Sequence, residues 1–263
     1  YDKWATKPHD LFLIGKGVSY NLNPPYLPGA STYSFSGNVP TYGFPGSDLN
    51  YVNFLPNKLQ AINVGRLSAW NPSEVGQYLD KVKSYEAALA TPMSPDFESE
   101  LWKKRVLHAA GGKDAGESAV FLQTLNSTAP IITDTAFGAI LSGVAKTTTD
   151  PIDQNLSTAV DSLINNGLSM LVYHGHAASS TFELSTLNDP EKYRNTPKLP
   201  HLVGLGCDIA YIFTLSTVKT IGERYIASPP GGTITVIAAD NLQYANFHAQ
   251  YLPKLYTSMS KLN

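Results

Sequence analysis

Cysteine is almost absent from this 263-residue chain, which has one, Cys207. One thiol cannot form an internal disulfide, and the sequence has neither Cys-x-x-Cys nor His-x-x-x-His spacing, so no zinc motif is written into it. Charge is also scarce. Asp, Glu, Lys and Arg make up 15% of residues and the formal net charge is −2, which leaves no basic footprint for nucleic acid or an anionic membrane surface. No apolar run approaches the length needed to span a bilayer. Gly15-Lys16-Gly17 lacks the spacing of a phosphate loop or a dinucleotide fingerprint.

The rest of the composition describes an ordinary globular protein, 43% hydrophobic. The 15 Tyr, 18 Pro and 20 Gly suit a loop-rich protein of the cell exterior. The length fits one large α/β domain or two small ones. An opening at Tyr1 without methionine is expected of a processed or excised piece.

Two stretches organise the chain. Leu168, Met170, Leu171, Val172 and Tyr173 read as a buried strand that opens at His174, Gly175 and His176. Val203 and Leu205 read as a second strand, stopping at Gly206 and Cys207. Parallel sheets place their sites outside the carboxyl ends of the strands, so a His and a Cys in these positions can meet in one crevice. An imidazole that takes the thiol proton turns a weak nucleophile into a thiolate. Gly175 and Ala177 flank His176, which would let backbone amides approach a developing oxyanion. Against this stands the common behaviour of a lone Cys as a small buried hydrophobe. A metal site using His174, His176 and Cys207 is a further rival, because His174 and His176 would share a face if the strand continued.

Elsewhere, strands alternate with helices. Asp10–Gly15 reads as a short buried strand, and residues 18–56 as a long ordered loop in which Asp48 serves a turn or a calcium ion. Leu59–Arg66 alternates like a strand. It runs into a helix capped by Asn71, Pro72 and Glu74, with Val75, Tyr78, Leu79, Val82, Tyr85 and Leu89 on one face. Residues 91–95 read as a linker. Val106–Ala110 reads as a strand with Asp114 and Glu117 on its carboxyl rim, and residues 131–150 as a variable loop. Leu156–Ile164 is an amphipathic helix stopped by Gly167. Residues 179–200 are a polar excursion fit for a pocket wall. Residues 221–226 read as helix, 233–239 as a buried strand and 244–259 as a closing helix. This alternation predicts a layered α/β fold with a mainly parallel sheet flanked by helices.

Taken in order, these stretches resemble the gingipain-type cysteine peptidases, including relatives that remove secretion signals in bacteria. Asp10–Lys16, Ile62–Leu67 with the following helix to Glu86, and Trp102–Val106 resemble early family segments. Tyr173-His174-Gly175-His176-Ala177 lies where the family has Tyr-x-Gly-His-Gly, and Leu205-Gly206-Cys207 where it has its nucleophile. Ile221–Tyr225 and Gly231–Ala238 follow as expected. The resemblance implies a caspase-like fold of two side-by-side subdomains, an N-terminal α/β unit over residues 1–98 that lacks the family's first βα units, and a catalytic unit over residues 99–263.

It also implies an endopeptidase in which Cys207 attacks the peptide carbonyl through a thioacyl-enzyme and His176, rather than His174, moves protons. The amides of Cys207 and Ala177, beside Gly175, would hold the oxyanion. Asp114, Phe182 and Asp208 are the implied substrate contacts. No cofactor is required and no metal is assigned, though the family admits calcium as a structural ion. The implied setting is extracytoplasmic and bacterial, with polypeptide substrates and association with a secretion system. Ala177 in place of the family's Gly, and Asp208 directly after the nucleophile, favour the alternative of a catalytically degenerate module acting as a binding or secretion scaffold.

Overall fold

The structure, a computed structural model, describes residues 4–19, 39–55, 60–91, 96–147 and 154–261. These form two compact units, Tyr1–Gly76 with Ile212–Val218, and Gln77–Tyr211 with Lys219–Asn263. Residues 92–95 of the expected linker and residues 20–38 of the expected loop lie outside the described residues.

In the first unit, β1 (Asp10–Ile14) and β2 (Asn63–Leu67) pair in parallel, in register from Asp10 and Asn63 to Ile14 and Leu67. β1 is less buried than its apolar run predicts: Phe12 and Ile14 are exposed, because among the described residues it pairs with one strand only. The Arg66 guanidinium organises the neighbouring loop. It donates to both Asp48 oxygens at 2.7 Å and to the carbonyls of Gly15, Val39 and Pro40. The Asp48 carboxylate is thus the counter-ion of a buried arginine, a bidentate pairing that suits the guanidinium fork.

Helix α1 (Pro72–Ala90) starts as its capping sequence predicts. The Glu74 amide donates to Asn71 Oδ1 at 3.1 Å, and the Glu74 carboxylate accepts from the Trp70 amide at 2.9 Å. Its buried face differs from the periodicity. Leu79 and Leu89 are exposed, and Lys81 is buried. Lys81 Nζ donates to the carbonyls of Tyr225 and Ile226 at 3.2 and 2.8 Å, capping the end of a later helix where the dipole favours a cation. Burial pulls its pKa down to about 7.

The second unit contains β3 (Arg105–Gly111), α2 (Ala115–Asn126), α3 (Ala129–Ile132), β4 (Ile140–Ala145), α4 (Gln154–Asn165) and β5 (Met170–Gly175). A hairpin follows, β6 (Ala177–Ala178) and β7 (Thr181–Phe182), then β8 (His201–Leu205), α5 (Ile221–Ala227), β9 (Thr235–Ala238) and α6 (Ala245–Ser260). Five strands form one parallel sheet in the order β4-β3-β5-β8-β9. The region expected as a variable loop therefore holds α3 and an edge strand, β4. Its small and hydroxyl-bearing residues hide the apolar signature that a central strand shows. β9 is the other edge and is half-buried rather than buried.

Strand alternation sends successive side chains to opposite faces. On one face Leu107, Leu171, Tyr173 and Leu202 pack with Val160 and Ile164 of α4 and Ile221 and Tyr225 of α5. On the other, Val106, Met170, Val172, Val203 and Leu205 pack with Leu125 of α2, Ile132 of α3 and Leu252 and Tyr256 of α6. From β3 the chain passes first outward to β4 and then back to β5 on the other side. The order reverses between β3 and β5, which opens a crevice at their carboxyl ends.

Candidate active site

β5 and β8 are parallel neighbours, with His174 opposite Leu205 in the register. His176 and Cys207 each stand two residues beyond that pair. The loops carrying them meet at Gly206. A Cβ there would lie 2.8 Å from the Gly175 carbonyl oxygen and 3.0 Å from the Ala177 Cβ, so only glycine lets the two loops close on one another.

His176 is held by its backbone. Its amide donates to Gly111 O at 3.0 Å, tying the end of β5 to the end of β3, and its carbonyl accepts from the Glu183 amide at 2.9 Å and from the Tyr173 hydroxyl. The imidazole is 45% exposed, with its edge toward the Phe121 ring, 5.7 Å between centroids. Its Nε2 lies 3.1 Å from Glu117 Oε1. Glu117 stands in the first turn of α2, and its other oxygen accepts from the Lys113 amide at 2.7 Å. That amide, followed by the imidazole, holds the Glu117 carboxyl below its ordinary range, with burial working against them. An ionised carboxylate only accepts, so Nε2 carries the proton and Nδ1 of the neutral ring is left with the lone pair.

Cys207 is partly buried, and Sγ accepts from the Gln243 amide at 3.3 Å and donates to the Gln243 carbonyl at 3.7 Å. The next residue, Asp208, adopts φ 56°, a left-handed conformation that Asp tolerates better than most side chains. Its amide donates to Asn241 O at 3.2 Å and that of Ala210 to Ala239 O at 2.9 Å, so residues 239–243 run alongside the Cys207 loop. Leu242 and Tyr244, on either side of Gln243, are 65% and 68% exposed.

The structure thus gathers His176, Gly175, Ala177, Cys207 and Asp208 at two adjoining strand ends and adds Glu117 and Gln243. The other expected residues have structural partners of their own. The Asp114 carboxylate is the N-cap of α2, accepting from the Glu117 amide at 2.9 Å. Phe182, expected on a pocket wall, is in the core against Tyr173, 4.5 Å between ring centroids. The β6–β7 hairpin turns it inward, and Asn188 fixes its backbone, accepting from the Phe182 amide at 2.6 Å and donating to its carbonyl at 2.9 Å. His174 is buried, with Nδ1 3.4 Å from Phe121 O. Among the described residues no group of three or more His, Cys, Asp or Glu is arranged to hold a metal ion, and no helix is long and apolar enough to cross a membrane.

Glu117 and Gln243 were the residues sequence reasoning did not assign. Glu117 carried a weak signal, a carboxylate just past a strand end. Gln243 acts through its backbone and carried none.

Comparison with known proteins bears on the family and the fold. The model of Peptidase family C25 matches residues 1–263. The crystal structure of the Arg-specific cysteine proteinase gingipain R (RgpB) is similar with a TM-score of 0.61 at 19% identity, covering 97% of this chain and 55% of that one. The complex of Porphyromonas gingivalis RgpB pro- and mature domains gives 0.60 at 20% identity, covering 93% and 52%. The chain therefore spans about half the length of the solved structures it matches, and at these identities the likeness shows a shared fold. No curated protein matches.

Proposed function

Because the chain belongs to Peptidase family C25, we propose that it is a cysteine endopeptidase working through Cys207, His176 and Glu117. The observation that carries this reading is the His176–Glu117 pair, 3.1 Å apart, at the end of the strand next to the one that leads into the only cysteine. His176 Nδ1 takes the Cys207 proton, and the sulfur attacks the scissile carbonyl carbon. The amides of Cys207 and Ala177 hold the oxyanion that forms, with Gly175 keeping the two loops close. The imidazolium then protonates the leaving amine, the C–N bond breaks, and a thioester remains. Water, deprotonated by His176, attacks the thioester, and the acid product leaves with the thiol restored. Glu117 fixes the ring and stabilises its charged form. No step uses a cofactor.

The substrate is a polypeptide, and the setting is extracytoplasmic and bacterial, in keeping with the family. Specificity for Arg belongs to the solved relative as named. In this chain the Asp114 carboxylate is engaged by its own helix, and two exposed apolar residues, Leu242 and Tyr244, flank Gln243 in sequence. One observation favours a second reading, a binding scaffold: the Ala177 Cβ lies 3.0 Å from where a Cβ at Gly206 would stand, so the methyl group that replaces the family's glycine hydrogen packs close to the loop leading to Cys207.

The alkylation rate of Cys207 by iodoacetamide against pH separates the two. An active pair gives a thiol pKa well under the free value of about 8.5, returning toward it in His176→Ala. An ordinary, slow thiol in both proteins, with no peptide turnover, would establish the scaffold.

A further inference from the structure

Below the reactive pair, on the same face of the sheet, a second pair of imidazoles is shut inside the protein. His174 comes from β5 and His248 from the first turns of α6, and they are 2% and 9% exposed. Their ring centroids are 5.3 Å apart with the planes at 84°. His174 Nδ1 faces the Phe121 carbonyl, which only accepts, so the proton sits on Nδ1 and Nε2 carries a bare lone pair. His174 Nε2 and His248 Nδ1 are both buried and have no hydrogen-bond partner among the described residues. A buried polar atom left without a partner is destabilising. Two of them on adjacent rings call for a shared ligand.

We propose that His174 and His248 form a two-histidine site for a borderline transition-metal dication, of which Zn²⁺ is the representative, separate from the Cys207–His176 pair. Two imidazoles that share a tetrahedral ion, each nitrogen at about 2.0–2.1 Å, hold their ring centres roughly 5 Å apart, the separation seen here. A ligating histidine ordinarily gives its other N–H to a carbonyl or carboxylate, and the Phe121 carbonyl is in that position. Burial lowers the pKa of both rings, so neither proton competes at neutral pH. Water completes the coordination, since no third described His, Cys, Asp or Glu joins the pair. The Phe121 ring packs on both His174 and His176, at 4.7 and 5.7 Å, and keeps the two sites distinct.

Occupancy would tie β5 to α6. Gln243, whose amide reaches the Cys207 sulfur, lies just before α6. The ion is therefore a brace for the segment that lines the nucleophile.

A cysteine beside a histidine could capture the ion itself, so the test removes the sulfur. Co²⁺ is titrated into the Cys207→Ser chain and followed by its visible ligand-field bands, with near-ultraviolet circular dichroism to check folding. One equivalent should bind without a sulfur-to-cobalt charge-transfer band, and His248→Gln in the same background should weaken binding at least tenfold. Histidine ring ¹⁵N shifts during a Zn²⁺ titration of Cys207→Ser give a reading that needs no histidine variant. They should move at His174 and His248. Failure of Cys207→Ser to bind either metal, binding unchanged in a folded His248→Gln, or shifts confined to His176 would overturn the assignment.

Discussion

The two faces of the five-stranded sheet are built to different standards. On the α4/α5 face, buried tyrosines place their hydroxyls on carbonyls: Tyr225 on Leu187 at 2.9 Å, Tyr193 on Thr186 at 3.2 Å, Tyr173 on His176. Burial raises the pKa of all three, which keeps them neutral donors. The α2/α6 face carries His108, His174, His176, His248 and Cys207, and two of its buried ring nitrogens have no partner. Adjacent residues of β5, Tyr173 and His174, fall on opposite sides of this divide. Both faces pack a hydrophobic core, and the α2/α6 face also carries the residues proposed to react.

The comparison predicts that substitutions at the proposed reactive residues of the second face cost activity and those at the buried tyrosines of the first cost stability. Cys207→Ala should abolish peptide hydrolysis, a loss of at least about 10³-fold, while leaving the melting temperature nearly unchanged; the two assays on one sample check this. Tyr225→Ala should lower stability by about 3–5 kcal/mol, read from denaturant midpoints, because it opens a cavity in the closed face and strands the Leu187 carbonyl.

Acid should attack the second face selectively. Burial depresses the pKa of His174 to about 4, and those of His108 and His248 also lie below the ordinary value. The unfolded chain therefore binds more protons than the native one below pH about 6.5, and stability falls as pH drops from there toward 4. His174 alone contributes on the order of 3 kcal/mol to that loss. Melting temperatures across this range should decline less in a folded His174→Gln variant. The smallest effect expected is that of Glu117→Gln, which keeps shape and removes charge. It should reduce kcat about 10- to 100-fold with little change in KM or in stability.

The two strands that carry His176 and Cys207 were legible because central parallel strands are buried on both faces and so appear as unbroken apolar runs. Their abrupt stops marked the site. β4, at the edge, could not be read, since one neighbour and partial exposure relax the need for large apolar residues. Lys81 broke the helical pattern because its ammonium serves the end of another helix 144 residues away. Glu117 was visible as a carboxylate on the right rim, but its pairing with a histidine 59 residues distant depends on which strand lies beside which. Phe182 was placed correctly in the chain and wrongly in space, because a four-residue bend turned it from the rim into the core.

The contact at Gly206 bears on how such a chain can change over generations. The separation of the His176 and Cys207 loops is set there by main chain resting on main chain, with the Gly175 carbonyl as the stop. Neighbouring core side chains can drift in size and kind, and the molecule can gain or lose robustness, without resetting that distance. Mutational tolerance and reactive geometry are thereby uncoupled, except at the glycine itself.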